Sequence, residues 1–458
     1  MIFRAVFTLF ILFSTLSVVT LAQTGEQTNS ANTFPPLQPM VDHLKKGDVL
    51  IIPPGTYAGP VVVDQAVTLD GQGKVTIDSG GKGSVVVLDT DGAVLKNLHL
   101  TNSGSHHNDL DSGVQVRGNF NVIKDNIIDN CLFGIDLQQS ENNIVKRNSI
   151  SSKDEELGMR GDSIRLWYSF NNKITYNTMT DVRDMVVWYS KNNVIKNNIS
   201  HGGRYGLHFM YSQYNVVENN EFYNNSVGIF LMYSDGVVIR NNIISHATGA
   251  AGVGIGFKET SAIIVEDNKV LFSSAALSID VSPYQPDTKN YFTNNLIAFN
   301  GIAIRFLADW KDNIFKNNHF KANITQIIVS GGKTANRNEW DGNYWDDYEG
   351  FDRDHNGIGD TPHEIYAYAD QLWQDVPGAQ FYKGSAMLEL IDFLEQLAPF
   401  SEPNMLVRDN VPLMNVSLNT AGHDAGKKEE ISQDAANDKP VDPNETDLDR
   451  RLKSYLYE

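Results

Sequence analysis

The sequence predicts an all-β protein, a right-handed parallel β-helix, and three observations carry that expectation. Four segments can be laid on one another: IRLWYSFNNKITYNT from Ile164, MVVWYSKNNVIKNNI from Met185, LHFMYSQYNVVENNE from Leu207 and IFLMYSDGVVIRNNI from Ile229. Trp167, Trp188, Met210 and Met232 are therefore equivalent positions, offset by 21, 22 and 22 residues, and Asn177, Asn198, Asn220 and Asn242 follow ten residues after each. A period near 22, with Val/Ile-rich runs cut by Asn pairs, describes one coil of a solenoid whose coils stack at roughly 4.8 Å. The right hand follows from the general handedness of parallel crossovers.

The elements follow in chain order. Residues 1–22 read as a cleaved secretory signal: Arg4, an apolar stretch from Ala5 to Leu21, then Thr20-Leu21-Ala22 as a small-residue cleavage site. An uncleaved anchor is the alternative, although the stretch falls just short of the roughly 20 residues that span a bilayer. Residues 23–46 form an N-terminal extension and cap, with a small helix expected from Pro39 to Lys46. Residues 47–378 form the β-helix itself, beginning with the short Val/Ile strands and Pro/Gly turns of Gly47 to Gly73. Both ends of such a stack expose strand edges and need covers.

The register extends beyond the four clear repeats. Val116 with Asn121 and Asn126, and Gln138 with Asn143 and Asn148, keep offsets of five and ten. The excess between Gln138 and Trp167 is assigned to a loop at Ser152 to Arg160, while Lys258 with Asn268 and Ala308 with Asn313 and Asn318 continue the pattern forwards. About nine to ten or more coils result, a rod on the order of 45 Å. Residues 379–416 are expected to leave the register as a C-terminal helix, with Leu388, Ile391 and Leu394 at helical spacing, followed by an extended docking segment. Residues 417–458 mix charges with Pro, Asn and Asp and read as a disordered tail.

The repeat also assigns roles. Asn tolerates the left-handed backbone of a sharp corner, and its amide can bond to the Asn above and below, so the Asn column reads as scaffold. Ile174, Ile195, Val217 and Ile239 line the core. With Cys131 the only cysteine, no internal disulfide can form, and Cys131 itself reads as a packed side chain. The net charge of −19 argues against nucleic acid as a partner.

Asp352, Asp354, Asn356, Gly357 and Asp360 in DRDHNGIGD match positions 1, 3, 5, 6 and 9 of an oxygen-ligand calcium loop, with the Ile358 carbonyl at position 7. This loop-like segment spans 352–363, and His363 stands where the bidentate Glu of position 12 belongs. A turn held by Asp hydrogen bonds is the alternative. Enzymatic β-helices need carboxylates converging from adjacent coils. Asp162 and Asp184 stand near one another in register, but Gly206 and Gly228 continue that column, and Arg165, Arg183 and Arg204 nearby make surface charge pairing the expectation. No nucleotide-binding glycine loop occurs, so no nucleotide cofactor is expected.

The run GDSIRLWYS, RDMVVWYS, RYGLHFMYS and VGIFLMYS, followed by NEWDGNYWDDYEGFDRDHNGIGDTPH, resembles the NosD family of periplasmic β-helix proteins over roughly Gly47 to Leu413. The coils alone are shared with many carbohydrate-active proteins, whereas the WYS/MYS series with NYWDDY is specific. The resemblance implies a periplasmic, non-enzymatic accessory protein for assembly of the copper-sulfide centre of nitrous oxide reductase. It further implies partnership with an inner-membrane ABC transporter permease and its ATPase, with a copper chaperone lipoprotein and with the reductase. The alternative is a secreted β-helix that binds or cleaves acidic polysaccharide, and a purely structural surface rod is a third reading.

If copper is handled, alternation offers a place for it. With Leu207 and Phe209 facing the core, His208 and Met210 turn outward, and Met232 stands one coil below Met210. Two thioethers and an imidazole suit copper(I), because soft sulfur ligands prefer it to harder ions. The competing reading makes Trp167, Trp188, Met210 and Met232 an apolar strip that docks a protein partner, together with Leu388, Ile391 and Leu394. His106 and His107 near Asp109 and Asp111 read as solvated loop residues, and His201 and His246 build no site.

Overall fold

Val and Ile at alternate positions, with Asn-rich breaks every few residues, give three short strands per coil, as in Tyr205–Met210, Val216–Glu218 and Glu221–Tyr223. A computed structural model describes residues 34–330, 334–367, 385, 390, 394 and 404–415. The signal segment, residues 23–33 of the extension, Leu388, Ile391, residue 416 and the tail at 417–458 lie outside the described residues. The long strand position of each coil stacks into a 12-stranded parallel sheet that forms one face of the rod, and the two shorter positions join in a 24-stranded sheet. The solenoid has about 13 turns, more than the nine or ten counted from sequence. The coils not counted from sequence include those of Asn295, 27 residues after Asn268, and Asn343, 25 residues after Asn318, where the offset departs from 22.

Trp167 pairs in register with Trp188, then Met210, then Met232, and the two indoles lie 5.9 Å apart. Val116 pairs with Leu137 rather than Gln138, one place from the expected register, so the sheet and the Asn corners do not share one offset there. The core runs down the axis. Ile174, Ile195, Val217 and Ile239 are fully buried in one column and Leu166, Val187, Phe209 and Leu231 in the facing one, each side chain worth about 1.5–3 kcal/mol of burial.

The Asn pairs divide two tasks between them. Asn197, Asn219 and Asn241 take the left-handed corner, with φ of 57, 55 and 54, and the next residue in each case is the buried ladder amide. That ladder runs Asn126, Asn148, Asn177, Asn198, Asn220, Asn242, Asn268, Asn295, Asn318 and Asn343, each Oδ1 accepting the backbone N–H of the Asn one coil before. It ends on Asp409, whose Oδ2 accepts the N–H of Asn343 at 2.9 Å and the indole N–H of Trp345 at 3.2 Å. A second ladder of serines, Ser140, Ser169, Ser190, Ser212 and Ser234, does the same at the other corner.

Both ends are covered. The helix Gln38–Val41 is shorter than expected, and the Gln38 amide closes the edge strand by donating to Val62 O and accepting from Val62 N. At the far end Asn404–Asp409 pairs antiparallel with His363–Ala367. Leu406 and Val407 are fully buried there, so this part of the segment read as exposed and docking is instead packed onto the end of the rod. Leu394 is exposed, as is Leu390.

Asn198→Ala removes the acceptor for both N–H groups of Asn177 and the donor to Ile174 O, all buried. It should cost about 3 kcal/mol or more in chemical denaturation; Lys173→Ala, on the exposed side of the same coils, should cost under about 0.5 kcal/mol. Equal losses would remove the ladder from its structural role.

Candidate functional site

Strand alternation turns one set of side chains of the 12-stranded sheet outward, and in the middle coils part of that set is shielded from water. In Tyr205–Met210 the inward Leu207 and Phe209 are fully buried, while outward-facing His208 keeps only 6% of its surface exposed. Tyr205 stacks on the imidazole at 4.7 Å, and Trp188 and Phe230 approach it edge-on at 6.0 and 6.4 Å. His208 Nε2 lies 3.3 Å from Met232 Sδ, one coil away. Met210, half-buried, pairs in register with Met232. His208 and Met232 are thus brought together, with Met210 alongside.

Burial pushes the His208 imidazole down to about 4, with Asp184 opposing and Arg204 adding to the effect. The ring is therefore neutral at pH 7 and holds a free lone pair, the form that binds a metal. His208 Nδ1 and the indole Nε1 of Trp188 are shielded from solvent and have no hydrogen-bond partner. Each such orphan costs about 1–3 kcal/mol. Among the described residues no three His, Cys, Asp or Glu side chains converge to hold a metal, so thioether sulfur is what makes this position a candidate.

Next to the imidazole lies an ion network of buried carboxylates and partly exposed arginines. Arg183 donates to Asp162 at 2.9 Å and lies 3.7 Å from Asp184, which also binds Arg204. One register step away Arg165 pairs with Asp136 at 2.8 Å and covers the Trp167 ring at 4.8 Å. The sequence suggests surface pairs, but Asp162 and Asp184 are 2% and 1% exposed. A bulge between Asp184 and Val186 sets Asp184 beside Tyr205, not Gly206. Gly206 and Gly228 belong to a separate column where a Cβ would strike backbone oxygen at 2.7 and 2.5 Å. Desolvation raises the Asp162 carboxyl to about 6 against the pull of Arg183. Asp136, Asp162 and Asp184 each carry an arginine, which leaves none of them free as the acid or base that glycan cleavage requires.

The WYS/MYS motif resolves into three layers. Trp167, Trp188, Met210 and Met232 are half-buried on the sheet face, the serines form the ladder, and between them Tyr168, Tyr189, Tyr211 and Tyr233 stack at 4.9, 5.3 and 4.8 Å. This tyrosine ladder was readable only as a repeat of the letter Tyr; its left-handed corners, φ 48 to 51, carry no propensity signal.

In the 352–360 loop the carboxylates turn to the backbone. Asp352 accepts from the N–H groups of Asn356 and Gly357, Asp360 from Arg353, and Asn356 Oδ1 from Ile358. Asp354 accepts from the Asn356 amide. Hydrogen bonds close this turn, with Gly357 at φ +83. His106 is held 3.3 Å from Asp111, His107 sits edge-on to Phe133, His201 stacks on Tyr223 and His246 on Phe272. Cys131 is buried and its thiol is pushed up to about 12 by desolvation.

Comparison with known proteins fits this geometry. Residues 150–350 match the family model described as "Periplasmic copper-binding protein (NosD)", and residues 66–187 match "Right handed beta helix region". A "Probable ABC transporter binding protein NosD" of Pseudomonas aeruginosa is 27% identical over 393 residues, 79% of this chain and 87% of that protein. A protein of the same name from Stutzerimonas stutzeri is 30% identical over 132 residues, 28% of this chain and 29% of that protein. The A-module of the Azotobacter vinelandii mannuronan C-5 epimerase AlgE6 superposes with a TM-score of 0.50 at 14% identity, over 64% of this chain and 93% of that one, a likeness of fold.

Arg183→Met leaves Asp162 and Asp184 buried with less compensation and should cost about 3–5 kcal/mol, part of it recovered by adding Asp162→Asn. With its folded pKa raised, Asp162 makes the native chain bind more protons than the unfolded one between the ordinary carboxylate range and about pH 6. Its contribution to stability therefore falls as pH rises through that window, and Asp162→Asn should flatten the slope in a pH series of denaturation curves.

Proposed function

This chain belongs to the NosD family, and on that premise we propose that it is a periplasmic accessory protein that handles copper for assembly of the copper-sulfide centre of nitrous oxide reductase. It works beside an ABC transporter permease and its ATPase, receives copper from a lipoprotein chaperone and meets the reductase. The observation that carries this reading is the approach of the buried His208 Nε2 to Met232 Sδ at 3.3 Å, beside Met210, on the outer face of the sheet. A neutral imidazole and two thioethers offer copper(I) soft ligands and no oxygen. Copper here is cargo, and the chain's own task is to hold it away from water and release it. Support for a non-enzymatic role comes from the arginine-bound carboxylates and from relatives named as binding proteins.

The test is deletion and replacement. A strain lacking this chain should make nitrous oxide reductase whose copper-sulfide centre is missing, and the wild-type chain should restore it. The variant carrying His208→Ala, Met210→Leu and Met232→Leu should not, and its anaerobic Cu(I) affinity should fall by about 100-fold or more. Unchanged affinity would leave Trp167, Trp188, Met210 and Met232 as a partner-docking strip. A calcium ion in the 352–360 loop is a separate proposal. Calcium should raise the melting temperature of the full chain, and Asp352→Ala should abolish the rise; no shift means that the turn closes by hydrogen bonds alone.

A further inference from the structure

The outer face of a β-helix sheet ordinarily meets water, yet around His208 it is walled by rings. Tyr205 lies against the imidazole face, Trp188 and Phe230 stand perpendicular to it, and Gly256 lets the Phe230 ring lie across the next coil, since a Cβ there would meet ring carbons at 2.3 Å. Phe230 pairs in register with His208 on one side and Gly256 on the other. One nitrogen, Nε2, faces a sulfur, while the other, Nδ1, is sealed off without a partner. The nearest carboxylate, Asp184, is held by Arg204 and lies beside Arg183.

From this arrangement we infer that the ring wall of Trp188, Tyr205 and Phe230 makes the His208–Met232 position a site for a desolvated, soft, monovalent cation, Cu(I) or Ag(I), and excludes Cu(II) and Zn(II). The inference rests on the copper reading above and adds the selectivity that the reading leaves open.

The reasoning is one of coordination and charge. Divalent zinc asks for four ligands, drawn from thiolate, imidazole, carboxylate or water. Here one imidazole nitrogen and thioethers are available, and the rings of Trp188, Tyr205 and Phe230 around the imidazole present aromatic carbon where further ligands would have to stand. The cost of desolvating an ion climbs steeply with its charge, and no free carboxylate offsets it, because Asp162 and Asp184 are matched by Arg183 and Arg204. A singly charged ion content with two or three soft ligands meets neither objection. Trp188 is thus a positioning residue: it shapes and dries the site through His208.

The experiment uses the full chain and the metals alone, under anaerobic conditions for Cu(I). Affinities for Cu(I), Ag(I), Cu(II) and Zn(II) are measured by competition, with tryptophan emission followed in parallel. The expected result is Cu(I) and Ag(I) binding that His208→Ala abolishes, Zn(II) and Cu(II) binding at this site weaker by on the order of 100-fold or more, and an Ag(I)-induced change in emission lost in Trp188→Phe. Phe230→Ser should admit water and narrow the preference by about tenfold or more while the ligands stay. Gly256→Ala, which displaces the same ring without replacing it, should narrow it in the same direction if Phe230→Ser fails to fold. If Cu(I) binds through His208 but Zn(II) or Cu(II) binds there equally well, or if neither wall variant alters the preference, the inference is overturned and the copper reading stands. If no His208-dependent binding of Cu(I) or Ag(I) occurs, both fall.

Discussion

A buried amide that accepts a backbone N–H from the coil before it is the interaction on which the remainder of this molecule depends. Repeated from Asn126 to Asn343, it fixes the spacing and rotation of successive coils, so residues 21 or 22 places apart become side-by-side neighbours wherever the coil carries no insertion. With no disulfide possible among its residues, the chain relies on these bonds, the backbone pairing of the coils and the apolar column between them. Asp409 ends the series by supplying carboxylate oxygens in place of one more amide. The final coil is thereby tied to the antiparallel strand pair that covers it.

Register of this kind turns sequence distance into chemistry. His208 and Met232 are 24 residues apart, yet nitrogen and sulfur approach to 3.3 Å because one outward column lies diagonally beside the next. The same stacking concentrates charges. Asp162, Arg183, Asp184 and Arg204 come from successive coils and corners, and their mutual pairing is what lets carboxylates sit beneath an aromatic surface. Burying such a network is costly, and it contributes little net stability. What it does is hold Tyr205, whose ring lies under the Arg204 guanidinium at 5.0 Å and against His208, and so define one wall of the candidate site.

The fold was legible because its signal repeats. Trp167 over Trp188, and Met210 over Met232, follow from offsets alone. Alternation placed His208 outward, but it could not show that outward here means buried, since that depends on Tyr205, Trp188 and Phe230 closing over the ring. The bulge at Asp184 shifted its partner from Gly206 to Tyr205, a one-residue change that no pattern announces, and the carboxylate is interior, not at the surface. Asp409 was invisible for another reason: it is 66 residues from Asn343 and outside the repeat. In the 352–360 loop, spacing matched an ion-binding pattern while the same side chains satisfied the backbone, a case where one sequence signature serves two physical outcomes.

Stacking in register is most directly tested by distance. Thr178 and Lys269 are separated by four coils through Ile199, Glu221 and Ile243. Spin labels on Thr178→Cys and Lys269→Cys, with Cys131 buried and unlabelled, should give one narrow dipolar distance near roughly 19 Å plus the reach of the labels. A broad distribution, or a single distance tens of ångströms longer, would mean that the coils do not stack as described, and the neighbours that make the site would not be neighbours.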